Sequence, residues 1–197
     1  SLDEAGKIKI GTVDSSNVEI GRFTYGYETI QILQWGEGAS LKIGSFCSIS
    51  DPSTIMLGGN HRVDWITTFP FGHIFADELG GTKIKGHPAS KGNVVIGNDV
   101  WIGRNATIMS GVTIGDGAVI AANSIVVKDI GAYETWGGNP ARKLKTRFKE
   151  DVIKSLLDLQ WWNLEIDVIK KIIPLLSKEP DLQTLNQLKT FALSKKK

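Results

Sequence analysis

The chain has 197 residues, 41% of them hydrophobic, with 23 Lys and Arg against 21 Asp and Glu and a net charge of +2. That length fits one domain or one with an appendage, and the near-neutral charge gives no reason to invoke nucleic acid. A single cysteine excludes an intrachain disulfide, and with no secretory-type leader and no apolar run of about 18 residues, a soluble cytoplasmic protein without a membrane span is expected.

The first patterned segments are "KIKIGTV" around Ile10-Gly11 and then Ile20-Gly21. Both match a six-residue repeat that becomes plain further on. Residues 24–40 fit it poorly and read as a coil with a bulge or a small insertion. Ile43, Ile49 and Ile55 restore the spacing, with Gly44 after the first. Cys47 lies inside the apolar run "IGSFCSI" and reads as a buried structural thiol. Between Leu57 and Asn93 the period stops. This excursion contains Pro70, Pro88, several glycines and all three histidines, and a long departure from a compact repeat is usually functional.

From residue 94 the chain reads "VVIGNDVWIGRNATIMSGVTIGDGAVIAANSIVV". Ile96, Ile102, Ile108, Ile114, Ile120 and Val126 open successive hexads. On an α-helix residues six apart are rotated by about 240° and fall on different faces. A plain strand keeps them on one face but leaves the glycines at position two (Gly97, Gly103, Gly115) unexplained. A short strand followed by a tight corner accounts for both, with the position-two glycine expected to take the corner's unusual backbone angles. Three such sides close an 18-residue coil, so Ile96 stacks on Ile114, Ile102 on Ile120 and Ile108 on Val126. The small residues at position five (Val100, Ala106, Val112, Ala118, Ser124) point inward beside them. This is a hexapeptide β-helix.

Asn139-Pro140 ends the repeat, giving a boundary between a β-helix over residues 1–139, with its active-site loop at 57–93, and a helical segment over 140–197. Val152, Ile153, Leu156, Leu157 and Trp161 mark one helix face, with Glu150 and Asp151 suited to its N-terminal end. Asn163 can cap a second helix carrying Val168, Ile169, Ile172 and Ile173, which Pro174 should bend or end. Asp181 starts a third with Leu182, Leu185, Leu188 and Ala192. The expected task of these helices is to cover an open coil edge. Lys195-Lys196-Lys197 reads as a solvated tail.

Taken together, the hexads, "GGNHRVDWITTFPF", "GGNPARKLKTRF" and "WWN" resemble the xenobiotic acetyltransferases, over roughly residues 18–175. That group holds type B chloramphenicol, streptogramin and sugar acetyltransferases. The resemblance implies a left-handed parallel β-helix, acetyl transfer from acetyl-CoA as cosubstrate, no metal, and a homotrimer with active sites between subunits. It also implies that His61 is the catalytic base. Read from its chemistry alone, a histidine titrates near neutrality and can take the proton of an attacking hydroxyl, though an isolated loop histidine is more often a surface residue. His73 and His87 read as loop histidines. A three-histidine metal site is weak at these spacings.

Around His61, Asp64 could pair with Arg62 or touch the acceptor. Trp65, Phe69 and Phe71 could pin the loop to a neighbouring subunit or form an acceptor wall. Trp101, at position six of its hexad, should face outward towards a neighbour or a ligand. For CoA, corners with Gly111, Gly115, Gly117, Ala121 and Ala122 offer close backbone access, and an N–H near Gly111 could stabilise an oxyanion. On composition alone Arg142, Lys143 and Lys145 read first as a solvated charge run; the resemblance implies that they meet the phosphates. A sugar acceptor, nucleotide-linked or on a surface polysaccharide, is favoured by the short segment at 24–40, where chloramphenicol-type enzymes carry a longer insertion. The alternatives are an antibiotic acceptor, a catalytically silent binding scaffold, and a hexapeptide carbonic anhydrase-like metalloenzyme.

Overall fold

The structure is a computed structural model that describes residues 2–194; the Lys195–Lys197 tail lies outside the described residues. The chain divides after Lys145 into two compact units.

The first unit opens with a short helix, α1 (Leu2–Ala5), and a hairpin of β1 (Lys9–Val13) and β2 (Ser16–Ile20). The two strands pair antiparallel, Val13 opposite Ser16, across a two-residue turn in which Asp14 has φ 49°. "KIKIGTV" is therefore an edge strand and not a coil side, because the reversal at Asp14-Ser15 folds it back on β2. The segment that fits the repeat poorly does complete a coil: Tyr25 bridges Ser48, and β3 (Ile30–Leu33) pairs in parallel with the strand that carries Ile55.

Three full coils follow, each of three short strands. The first holds β4 (Leu41–Ile43), β5 (Ser48–Ile49) and β6 (Ser53–Met56). The excursion departs after β6 and includes one helical turn, α2 (Ala76–Leu79). The second coil holds β7 (Val94–Ile96), β8 (Trp101–Ile102) and β9 (Thr107–Ile108). The third holds β10 (Thr113–Ile114), β11 (Val119–Ile120) and β12 (Ile125–Val126). The expected stacking is observed in parallel register: Ile114 on Ile96, Ile120 on Ile102 and Val126 on Ile108. The 37-residue interruption leaves the register intact, since Ile43, Ile49 and Ile55 pair with Ile96, Ile102 and Ile108.

Position one and position five fill the coil interior, and both are at most 2% exposed from Val94 to Val126. Burying one such isoleucine contributes about 1.5–3 kcal/mol. Cys47 occupies position five of its own hexad and is fully buried. Burial pushes its thiol up to about 11, so it is a packing group and not a nucleophile.

The corner chemistry differs from the expectation. The left-handed residues are at position four (Asp99, Asn105, Gly111, Gly117, Asn123), with φ between 54° and 81°. Asp, Asn and Gly tolerate that region best. The position-two glycines serve a different need, the close approach of stacked backbones. A Cβ on Gly97 would sit 2.6 Å from Asp116 Oδ1, and one on Gly115 would sit 2.5 Å from the Ala132 nitrogen.

After the third coil come β13 (Glu134–Gly138) and β14 (Ala141–Thr146), which extend the sheet of β11, β8 and β5. The division thus falls one strand beyond the expected 139/140 boundary, because the basic segment after Pro140 remains sheet.

The second unit contains α3 (Glu150–Leu159), α4 (Ile166–Leu176) and α5 (Leu182–Leu193). Asp181 caps α5 by accepting the Thr184 N–H at 2.7 Å. Asn163 caps nothing: Trp161–Asn163 is a short 3₁₀ turn, and α4 begins after Glu165. Pro174 lies within the last turn of α4, which continues to Leu176, so only one terminal hydrogen bond is lost. No helix among the described residues is long and apolar enough to cross a membrane.

Candidate active site

The excursion leaves the coil at Leu57 and returns at Val94, and its neck is stitched closed. Asn60 and Ala89 exchange both backbone hydrogen bonds, at 2.9 and 2.8 Å. Ser90 Oγ donates to the Leu57 carbonyl at 2.6 Å, and the Asn60 side-chain amide donates to Ser110 Oγ at 3.0 Å. The residue after this anchored turn is His61.

His61 Nδ1 lies 2.7 Å from the Thr68 carbonyl oxygen. A carbonyl can only accept, so the ring proton sits on Nδ1 and the basic lone pair is left on Nε2. His61 lines a cleft of about 500 Å³ whose other walls include Trp35, Phe69, Pro70, Ile74 and Pro88. These walls are apolar, with Thr67, Thr68 and His73 as the main polar groups. A second cleft of about 750 Å³, with Glu37, Arg62, Lys85 and His87 in its lining, shares Trp35, His73 and Pro88 with the first.

His87 read as a loop histidine, but it is buried, at 5% exposure. Its ring meets that of His61 edge-on, with centroids 5.2 Å apart. Its Nε2 accepts the Arg62 N–H at 3.2 Å, which keeps this ring neutral. Desolvation holds its pKa below the ordinary value, and its electrostatic interactions with the neighbouring His61 and Arg62 act in the same direction. The only local signal in the sequence was the proline that follows it, joined through a cis bond.

Asp64 pairs with Arg62 in a two-point contact at 2.7 and 2.6 Å. The Arg62 guanidinium holds the Asp64 carboxyl below the usual carboxylate range. The same guanidinium lies 4.9 Å from the Trp65 ring centre, and Trp65 meets His87 edge-on. Of the expected acceptor residues, then, Phe69 shares the cleft with His61. Asp64 and Trp65 instead brace the loop, and neither lines the two clefts. Trp101 lies on β8, half exposed, and also lines neither.

Of the residues expected to bind CoA, Gly111 packs on the returning end of the excursion, and the others lie on coil corners and β14. The Gly111 N–H donates to the Gly92 carbonyl at 3.0 Å, so it is not available to an oxyanion. The Gly115 and Ala121 N–H groups are likewise held by Ile130 and Trp136. Ala122 is exposed on its corner. Arg142, Lys143 and Lys145 are exposed on β14, where alternation puts Lys143 and Lys145 on one face and Arg142 on the other. Lys143 is paired with Glu134 at 3.0 Å. No group of three metal-ligating side chains comes together among the described residues.

Residues 93–128 match the family model "Bacterial transferase hexapeptide (six repeats)". The chain is 38% identical over 184 residues to a chloramphenicol acetyltransferase of Klebsiella aerogenes, covering 87% of each chain. It is 43% identical over 177 residues to virginiamycin A acetyltransferase of Staphylococcus aureus, covering 83% of this chain and 78% of that one. The chain belongs to the xenobiotic acetyltransferase family of hexapeptide-repeat enzymes. It is accordingly an acyltransferase that uses acetyl-CoA as its cosubstrate. A probable macrolide acetyltransferase of Lysinibacillus sphaericus is 47% identical over 152 residues, covering 75% of this chain and 83% of that one. Among solved structures, a polySia-specific acetyltransferase matches with a TM-score of 0.52 and 28% identity, over 68% of this chain and 53% of that one. The relatives are named as acetyltransferases, which speaks against the silent scaffold.

Proposed function

We propose that the protein O-acetylates a hydroxyl-bearing antibiotic, with His61 as the general base. The observation that carries this reading is the apolar cleft around His61, with its proton held on Nδ1 by Thr68. A sugar presents a ring of hydroxyls and calls for many polar partners, whereas Trp35, Phe69, Pro70, Ile74 and Pro88 offer contact area to an apolar skeleton. The acceptor kinds named for the relatives (chloramphenicol, macrolides and virginiamycin) have such skeletons. The sugar acceptor favoured by the sequence is the second reading, and the likeness to the polySia-specific enzyme supports it.

In the reaction, His61 Nε2 takes the acceptor's proton as that oxygen bonds to the thioester carbonyl carbon. When the carbon–sulfur bond breaks, the imidazolium returns the proton to the departing sulfur. Help of this kind is typically worth about 10²–10⁴-fold. Arg142, Lys143 and Lys145 would meet the CoA phosphates, and the exposed corner at Ala122 would receive its pantetheine arm. The β-helix is left-handed, and three copies assemble with their sites between neighbours.

The test is thiol release from acetyl-CoA with chloramphenicol, a macrolide, virginiamycin and nucleotide-linked sugars as acceptors. The drugs should show the higher kcat/KM. Turnover confined to the sugars would transfer the assignment to the second reading.

A further inference from the structure

The turn that carries His61 is held from a side that the chemistry above does not use. Gly58 and Gly59 lie against the segment Trp35-Gly36-Glu37, which precedes the first full coil. The Gly59 N–H donates to Glu37 Oε1 at 2.8 Å, and the Trp35 N–H donates to Glu37 Oε2 at 3.0 Å. Both oxygens of one carboxylate are thus engaged by backbone donors. No basic side chain among the described residues lies within salt-bridge distance of Glu37.

The fit is close on both glycines. A Cβ on Gly58 would stand 2.4 Å from Glu37 Oε1, and one on Gly59, where φ is +79°, would stand 2.4 Å from the Trp35 ring. A side chain at either position would displace the Glu37 carboxylate or the Trp35 ring from where they lie. Gly59 is two residues before His61, and Trp35 is a wall of the His61 cleft. One carboxylate therefore ties the base-bearing turn to the acceptor wall.

We propose that Glu37 is a positioning residue, which sets the His61 turn and the Trp35 wall in register through its two backbone hydrogen bonds. This rests on His61 being the base. Charge-assisted bonds to backbone N–H groups are about twice as strong as neutral ones, and a displacement of the order of 1 Å at the reacting group can lower turnover about 10²-fold.

The test places Glu37→Ala and Glu37→Gln in both the wild-type and the His61→Ala backgrounds, reading kcat, the KM values for acetyl-CoA and the acceptor, and the melting temperature. In the wild-type background Glu37→Ala should lower kcat by about 10–100-fold, with the acetyl-CoA KM unchanged. Glu37→Gln keeps a single accepting oxygen for two donors and should lose about three- to tenfold. In the His61→Ala background, at saturating acceptor, both changes should cost much less of the residual kcat, because the part of the loss that acts through His61 is already gone; displacement of the Trp35 wall shows instead in the acceptor KM. If Glu37→Ala does not fold, the same comparison with Glu37→Gln decides. Wild-type kcat in the variants, or an equal loss with His61 absent, would overturn the proposal. His61→Ala with wild-type turnover would instead overturn the base assignment. A normal His61→Ala loss beside undisturbed Glu37 variants would remove the positioning role alone.

Discussion

His61 and His87 lie edge to edge and hold their protons for different purposes. His61 gives its Nδ1 proton to Thr68 and so presents a base. His87 uses its own Nε2 lone pair on the Arg62 N–H, which ties the start of the excursion to its end. Protonating His87 would place a donor against a donor. Its folded-state pKa lies below the ordinary 6.5, so the unfolded loop binds the proton more readily than the folded one. The loop's stability is therefore complete above that ordinary value and is lost as pH falls below it, towards the lowered folded value. Protection of the amides of residues 57–93, taken relative to the intrinsic exchange rate at each pH, should fall as pH drops below 6.5. His87→Gln, which keeps an acceptor but cannot titrate, should flatten that dependence. Protection that stays level as pH falls through that region in the wild-type protein would contradict the role given to His87. By contrast, the Arg62–Asp64 pair is solvent-exposed, and such pairs add little to stability. Its use is to hold the guanidinium over Trp65, next to His87.

At the scale of elements, the hexad is the unit that carries the fold. Ile102 is 1% exposed and stacks between Ile49 and Ile120 in successive coils. Ile102→Ala should destabilise the protein by about 2–5 kcal/mol, read from the midpoint of denaturant unfolding. A loss below about 1 kcal/mol would fall outside the range for a core isoleucine and show that the coil relaxes around the cavity. This stacking was legible in the sequence because the register is set by the side chains that repeat. Position five was legible too, down to Ser124, since only small or medium groups fit beside the isoleucine; Cys47 was legible as a buried thiol, and its place at position five came from the structure. The corner was misread because glycine has two separate uses: left-handed backbone at position four, and a missing Cβ at position two. "KIKIGTV" was misread because its period is right but the Asp14-Ser15 turn reverses the chain. In the site, His61 stood out from its surrounding motif. His87 did not, since it reaches His61 only when the excursion folds back. Glu37 was hidden for the same reason: nothing in "WGEG" shows that Gly58 and Gly59 will pack on it.

For the whole molecule, the excursion exposes Val63 at 85% and Ile66 at 110%, with Phe75 and Leu79 also open. Exposed apolar groups suit a contact surface, and in the proposed trimer a neighbouring copy would complete the open cleft. Light scattering should return about three times the 21.5 kDa chain mass, as a closed cyclic trimer requires. A fully active monomer would contradict the shared site. The central claim is that His61 is the base for acetyl transfer, and one comparison tests it most directly. With whichever acceptor turns over, CoA thiol release is followed for the wild-type protein and for His61→Ala at saturating acetyl-CoA. The account predicts a kcat lower by about 10²–10⁴-fold in the variant, at an unchanged melting temperature, because an exposed loop side chain is removed. Wild-type turnover by a folded His61→Ala protein would contradict it.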